Sequence, residues 1–294
     1  MNKNLIGTGV ALITPFDAHG NIDHSGLANL VNHSIDCGVD YLVLMGTTAE
    51  SVTLLESEKE AALETIIATN NGRKPLVLGI GGNNTADIIQ QIQSKDLSIF
   101  EAILSVSPAY NRPTQEGIYQ HFRAISESTD KSIILYNVPS RTATNVEPET
   151  TLRLAHDFKN IIAIKEAAPA YMQSSFILKN KPQDFMVISG DDAFALPMVL
   201  AGGAGVISVI GQAIPQYSEM IRLGIARKVD EAYDIFYQIF DLTNAIYKEG
   251  NPAGIKALLE IVGVCQRDTR LPLISASDKL NQEIHSLWQK LSRA

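Results

Sequence analysis

The sequence predicts an α/β fold of one kind, a (β/α)8 TIM barrel with a C-terminal helical extension. Three observations carry this. Eight short apolar runs rich in β-branched residues recur along the chain, segments of helical period separate them, and no further strand-like run follows residue 215. The runs cover residues 9–16, 41–45, 75–80, 102–106, 132–136, 161–164, 185–188 and 205–210. Strands that alternate with helices form a parallel sheet, and strands apolar almost throughout belong to a sheet covered on both faces.

The elements follow in order. Run 9–16 leads to a helix over 25–37, closed by Gly38, a residue type that ends helices readily. Run 41–45 gives way to Gly46-Thr47-Thr48-Ala49-Glu50-Ser51 and a helix over 57–69. After run 75–80 comes a helix over 85–95; after run 102–106, the loop Ser107-Pro108-Ala109-Tyr110-Asn111-Arg112-Pro113 and a helix over 114–127. Run 132–136 ends in Tyr136-Asn137-Val138-Pro139-Ser140-Arg141-Thr142, followed by a helix over 147–156. Run 161–164 stops at Lys165-Glu166, and run 185–188 at Ser189-Gly190-Asp191-Asp192; the eighth contains Ile207 and Ser208. Residues 216–226, 229–247, 252–262 and 277–291 read as helices. The predicted division is a catalytic barrel over 1–224 and a C-terminal helical domain over 225–294.

Residues 194–218 hold no charge and are long enough to span a bilayer. Pro197, Gly202, Gly203, Gly205, Gly211 and Pro215 break the stretch, so it reads as a buried helix, turn and strand. A doubly wound open sheet is the competing fold. It normally brings a nucleotide motif, and the nearest match, GIGGNN from Gly79, fails at its last position.

With 294 residues, 45% hydrophobic, 19% charged and a net charge of -8, the chain lacks the positive footprint that nucleic acid or an anionic membrane requires. Small-molecule chemistry is the expectation. Two distant cysteines, Cys37 and Cys265, read as buried small hydrophobes of a protein from a reducing, cytoplasmic compartment. The N-terminal apolar run is interrupted by glycines and Pro15 with no A-x-A site after it, unlike a signal peptide. Six histidines are scattered without HxH or HExxH spacing, so no metal site is expected.

In a barrel of this kind, chemistry sits where strands end. The stretch IIAIKEA sets Lys165 directly after four apolar residues. An amine among apolar walls pays a desolvation cost for its charge, which favours the free base. A free amine attacks carbonyls, and the Schiff base makes a 2-oxo acid an electron sink. Tyr136, one strand away, is placed to move protons. The Gly46-Thr47-Thr48 turn offers N–H groups and hydroxyls to a carboxylate, and Arg141 suits a second one. Each residue also has a plainer reading. Lys165 reads equally as a strand-end lysine snorkelling to solvent, Tyr110 and Tyr136 as packing residues, Thr47 and Thr48 as turn caps, and Arg141 as a surface residue. Asp191 and Asp192 read as N-caps for 193–200.

The motifs GTGVALITPF, GTTAES, SPAYNRPTQEGIYQHF, LYNVPSRT, IAIKEA, SGDDA and GGAGVISV occur in this order from Gly7 onward. By them the chain resembles the pyruvate-dependent class I aldolase and synthase family, as far as about residue 290. The resemblance implies a barrel with a C-terminal helical domain, assembled as a homotetramer of two tight dimers. It implies that Lys165 forms a Schiff base with pyruvate and that Tyr136 shuttles protons in a relay with Thr47 and Tyr110, Tyr110 coming from the neighbouring subunit. Thr48 would hold the pyruvate carboxylate and Arg141 that of L-aspartate 4-semialdehyde. Gly190 and Ile207 would line the site through backbone groups, with no cofactor beyond the covalent Schiff base.

The same family contains N-acetylneuraminate lyase and 2-keto-3-deoxy sugar acid aldolases, which typically carry Gly-Ser-Thr in the first motif and lack the arginine. Gly46-Thr47-Thr48 and Arg141 favour the branch that uses aspartate semialdehyde. An idle paralogue that binds a 2-oxo acid as a regulator is the reading from another class. Retention of Lys165, Tyr136, Tyr110, Thr47 and Arg141 together argues against it. Two departures stand out. Ala49 replaces the usual glycine of the first motif. Ala109, Glu56 and Lys59 replace a tyrosine and two histidines of lysine-inhibited members, while Ser51, Asn83 and Asp87 of that cleft are kept. Weak or absent feedback by lysine is the expectation.

Overall fold

The computed structural model describes residues 2–293. Eight strands, β1 (Gly7–Ala11), β2 (Tyr41–Leu44), β3 (Leu76–Gly79), β4 (Phe100–Val106), β5 (Ile133–Asn137), β6 (Ile161–Glu166), β7 (Met186–Ser189) and β8 (Gly205–Ser208), close into a barrel in sequence order. All neighbours are parallel, and β1 meets β8 from Gly7↔Gly205 to Val10↔Ser208. The seam requires glycine. A Cβ on Gly205, at φ +145°, would lie 1.9 Å from the Gly7 carbonyl oxygen.

Between the strands run α1 (His24–Asp36), α2 (Glu56–Asn70), α3 (Thr85–Ser94), α4 (Gln115–Glu127), the short α5 (Pro139–Thr142), α6 (Pro148–Asp157), α7 (Tyr171–Asn180) and α8 (Ala195–Leu200). After β8 come α9 (Pro215–Ile225), α10 (Val229–Ala245), α11 (Ala253–Ile261) and α12 (Asp278–Leu291). Side-chain caps set several starts: Asp23 accepts from the Gly26 N–H, Asn84 from Ala86, Thr114 from Gly117 and Ser277 from Leu280. The fold is the (β/α)8 barrel with C-terminal helices that the apolar runs predict.

The core has two shells, as strands covered on both faces require. Inward side chains, among them Tyr41, Val43, Val77, Leu104, Ile134, Tyr136, Ala163, Ile188 and Ile207, fill the barrel. Their alternates pack outward against the helices. Residues 194–218 form a buried helix, a glycine turn and a strand as expected. Cys37 and Cys265 are free and buried, and burial pushes each thiol up to about 12.

Every strand departs from its predicted bounds by at least one residue, β4 starting two residues early at Phe100, and three further shifts stand out. β1 spans Gly7–Ala11 rather than 9–16, because beyond Leu12 the Ile13 N–H turns to the Gln212 side chain and Pro15 has no N–H to pair. β8 stops at Ser208, where the Asp192 carboxylate takes the Val209 and Ile210 N–H groups. β6 runs two residues past 164 and so contains Lys165 and Glu166. Among the described residues, no helix is long and apolar enough to cross a membrane.

Candidate active site

Lys165 shares the inward face of β6 with Ala163 and lies in register with Tyr136 on β5 and Ile188 on β7. It is 6% exposed, which excludes the snorkelling alternative. Its Nζ sits 4.4 Å from the centroid of the Tyr136 ring and forms no ion pair among the described residues. The adjacent Glu166 points the other way. Its carboxylate accepts hydrogen bonds from Asn137 Nδ2 at 2.9 Å, the Ala168 N–H at 2.7 Å and Gln173 Nε2 at 2.8 Å. Burial raises the Glu166 pKa above the ordinary carboxyl range, with those hydrogen bonds opposing. The network ties the ends of β5 and β6 together from outside and leaves Lys165 without a counterion.

Gly190 follows β7 and faces Lys165 closely. A Cβ there would stand 2.7 Å from Ala167 Cβ and 3.1 Å from Lys165 Cε, so the approach of the two strand ends depends on a missing side chain. Ile207 is fully buried on β8.

After β2 the chain turns through a 3-10 helix, Thr47–Ala49, with Gly46 extended before it. The left-handed residues are Met45 at φ 56° and Glu50 at φ 51°, not Ala49. Alanine therefore occupies its place in the turn without a left-handed backbone. Thr48 is buried, and its Oγ1 accepts a hydrogen bond from Asn251 Nδ2 at 3.0 Å.

Thr47, Tyr136 and Arg141 line one cavity of about 410 Å³, which extends past Ser51, Glu56, Lys59 and Ala109. Arg141 is exposed on α5, so its charge faces solvent at the cavity's edge. Tyr110 is not brought to this group within the chain. It is 92% exposed and carries φ 67°, an unusual conformation for a bulky residue.

Sequence reasoning missed several residues that reach the mouth from the C-terminal segment. Besides Asn251, Lys256 on α11 donates to Glu50 Oε1 at 2.6 Å and to the Asp268 carbonyl at 2.7 Å. Lys256 interrupts the apolar run AGIKALLEI much as Lys165 interrupts IIAIKEA, and that was the available signal. Of the two aspartates read as caps, Asp191 accepts from the Ala193 and Phe194 N–H groups. Asp192 does not cap; it holds the end of β8 and accepts from the Tyr247 hydroxyl at 2.6 Å. Among the described residues, no group of three or more His, Cys, Asp or Glu is arranged to hold a metal ion.

A closed barrel with a buried amine against a phenol ring at its C-terminal mouth is an arrangement suited to lysine-based carbonyl chemistry. Comparison with known proteins narrows the class. The chain belongs to the dihydrodipicolinate synthetase family, whose sequence profile matches residues 4–291. It is 53% identical over 289 residues to the 4-hydroxy-tetrahydrodipicolinate synthase of Flavobacterium psychrophilum, covering 98% of this chain and 99% of that one. The synthase of Parabacteroides distasonis is 44% identical, covering 98% of both chains. Among solved structures, a monomeric dihydrodipicolinate synthase variant superposes with a TM-score of 0.94 at 35% identity, covering 98% of this chain and 97% of that one. The lysine-bound enzyme of Cyanidioschyzon merolae gives 0.94 at 33% identity, covering 99% of each.

Proposed function

We propose that this chain condenses pyruvate with L-aspartate 4-semialdehyde to 4-hydroxy-tetrahydrodipicolinate, the first committed step of the diaminopimelate route to lysine. The observation that carries the reading is the buried, unpaired amine of Lys165 against the Tyr136 ring, in a chain 53% identical to a synthase of that name. In this reading Lys165 Nζ attacks the pyruvate C2 carbonyl, and loss of water gives the imine. Loss of a C3 proton gives the enamine, and Tyr136 moves protons in relay with Thr47 and Tyr110. The enamine C3 attacks the aldehyde carbon, whose oxygen gains a proton. The amine of the second substrate then displaces Lys165 from C2, which closes the ring and frees the lysine.

Thr48 holds the pyruvate carboxylate, Arg141 that of the semialdehyde, and Gly190 and Ile207 contribute backbone groups. A homotetramer of two dimers supplies Tyr110 from the neighbouring subunit; its exposure and its left-handed backbone support that assignment. The protein acts in the cytoplasm, uses no cofactor beyond the Schiff base, and divides into a barrel over 1–224 and a helical domain over 225–294. The sugar-acid aldolase and the idle regulator are not favoured, given relatives at 44–53% identity that carry the synthase name. Borohydride reduction with pyruvate, followed by peptide mapping, tests the chemistry. A pyruvate adduct on Lys165 is expected, and Lys165→Ala should give a folded barrel without turnover. Retained turnover in that variant would mean that another lysine does the work.

A further inference from the structure

We propose that Asn251 and Lys256, both outside the barrel, are positioning residues for the Thr47–Thr48 turn. The inference rests on the reading of Thr48 as the holder of the pyruvate carboxylate. A threonine hydroxyl has one hydrogen to give and lone pairs to receive. Because Thr48 Oγ1 receives the Asn251 Nδ2 hydrogen at 3.0 Å, its own hydrogen turns away from the amide and remains available as a donor. A carboxylate needs such a donor, and a hydroxyl already fixed in direction loses less freedom when the ligand arrives. Asn251 Oδ1 is buried without a protein partner, so the amide is anchored at its donor end, on Thr48.

The far end of the turn is held in the same way. Glu50 sits at φ 51°, a conformation that persists in a non-glycine residue when its surroundings impose it. One carboxylate oxygen accepts from Lys256 Nζ at 2.6 Å, and the other accepts the Arg270 N–H at 3.0 Å. Every one of these partners comes from beyond residue 250. The turn that presents Thr47 and Thr48 is thus fixed from the C-terminal segment at both ends, although its own strand belongs to the barrel.

Steady-state kinetics of Asn251→Ala, alone and with Thr48→Val, test this. Losing one hydrogen bond to an oriented hydroxyl should raise the pyruvate KM about tenfold, with kcat at saturating pyruvate changed by less than about threefold. In the Thr48→Val background the same replacement should add less than about twofold, because Asn251 acts through that hydroxyl. A wild-type KM in Asn251→Ala, or an undiminished effect beside Thr48→Val, overturns the positioning role. Asn251→Leu, close in size but with no hydrogen-bonding group and no charge, reads the same quantity if the alanine variant fails to fold. Borohydride trapping on the wild-type protein separates the two levels: absence of an adduct on Lys165 overturns the proposed function itself, whereas an adduct with an unchanged KM overturns only this inference.

Discussion

Replacing Lys256 with methionine is the sharpest test of how the barrel mouth is held. Lys256 and Glu50 are 0% and 1% exposed and their charged atoms stand 2.6 Å apart. At an effective dielectric of about 20, that separation corresponds to roughly 6 kcal/mol of attraction, most of which offsets the cost of removing both charges from water. The single replacement leaves Glu50 buried with only the Arg270 N–H as a partner, and stranding a buried charge costs about 3–5 kcal/mol. For a chain of this length each kcal/mol lowers Tm by about 2 °C, so a fall of roughly 6–10 °C is expected in a thermal melt followed by circular dichroism. Lys256→Met combined with Glu50→Gln removes both charges and should recover most of that loss. The loss should be nearly independent of salt, because the pair is shielded from solvent ions. A single variant within about 2 °C of wild type, or a double variant no more stable than the single, would refute the reasoning.

Three further outcomes follow from particular residues. Gly190→Ala places a Cβ 2.7 Å from Ala167 Cβ and 3.2 Å from the Glu166 carbonyl, neighbours that cannot swing aside. Overpacking of about 1–3 kcal/mol and at least a tenfold fall in kcat/KM are expected, and unchanged kinetics would show that the strand ends tolerate separation. Lysine should not inhibit at micromolar concentration, because Lys95 and Lys59 already occupy Glu56 at 2.6 Å and 3.3 Å and hold its carboxyl below the ordinary range, Lys95 foremost. A micromolar inhibition constant would contradict this. Burial holds His121 at about 4 against 6.5 for the free side chain, so the unfolded chain takes up the proton first as pH falls. The His121 contribution should therefore lower stability by about 3 kcal/mol between pH 6.5 and 4 and level off below. Glu58, held at about 2 by Arg270, loses its contribution only lower, between about 4.5 and 2. His121→Gln should flatten the upper slope in urea titrations; an unchanged slope would assign it elsewhere.

Much of this architecture is legible along the chain because it is written in local periodicity. Apolar runs between capped helices give strand order directly, and parallel neighbours in sequence order then leave few closures other than a barrel. Lys165 was visible as a break in such a run. Its state was not, since the distinction between snorkelling and burial depended on two more residues of β6 ladder that only the pairing with Tyr136 and Ile188 reveals. Asn251 and Asp192 were illegible for a different reason. Their partners lie 203 and 55 residues away, Thr48 for the one and Tyr247 for the other, and no spacing rule connects them.

Lys165 and Lys256 share burial but not surroundings, so burial alone would not mark the proposed nucleophile. Both interrupt apolar runs and both are buried, at 6% and 0% exposure. Desolvation lowers the Lys256 pKa, but Glu50 pulls it back, and the ammonium is engaged by a carboxylate and a carbonyl. An amine so engaged has its hydrogens committed and its lone pair unavailable. Lys165 has an aromatic face at 4.4 Å, a glycine where a side chain would crowd it, and a neighbouring glutamate turned to the outside with its own set of amide donors. One lysine is thus committed to the Glu50 end of the turn, and the other is left without an acceptor, as the proposed attack on a carbonyl requires. What separates the two roles is the presence or absence of an acceptor within hydrogen-bonding reach, and an acidic residue introduced at Ile188, in register with Lys165, should abolish borohydride trapping by turning the second lysine into a copy of the first. Undiminished trapping in Ile188→Asp, with the fold retained, would show that pairing is not what distinguishes them.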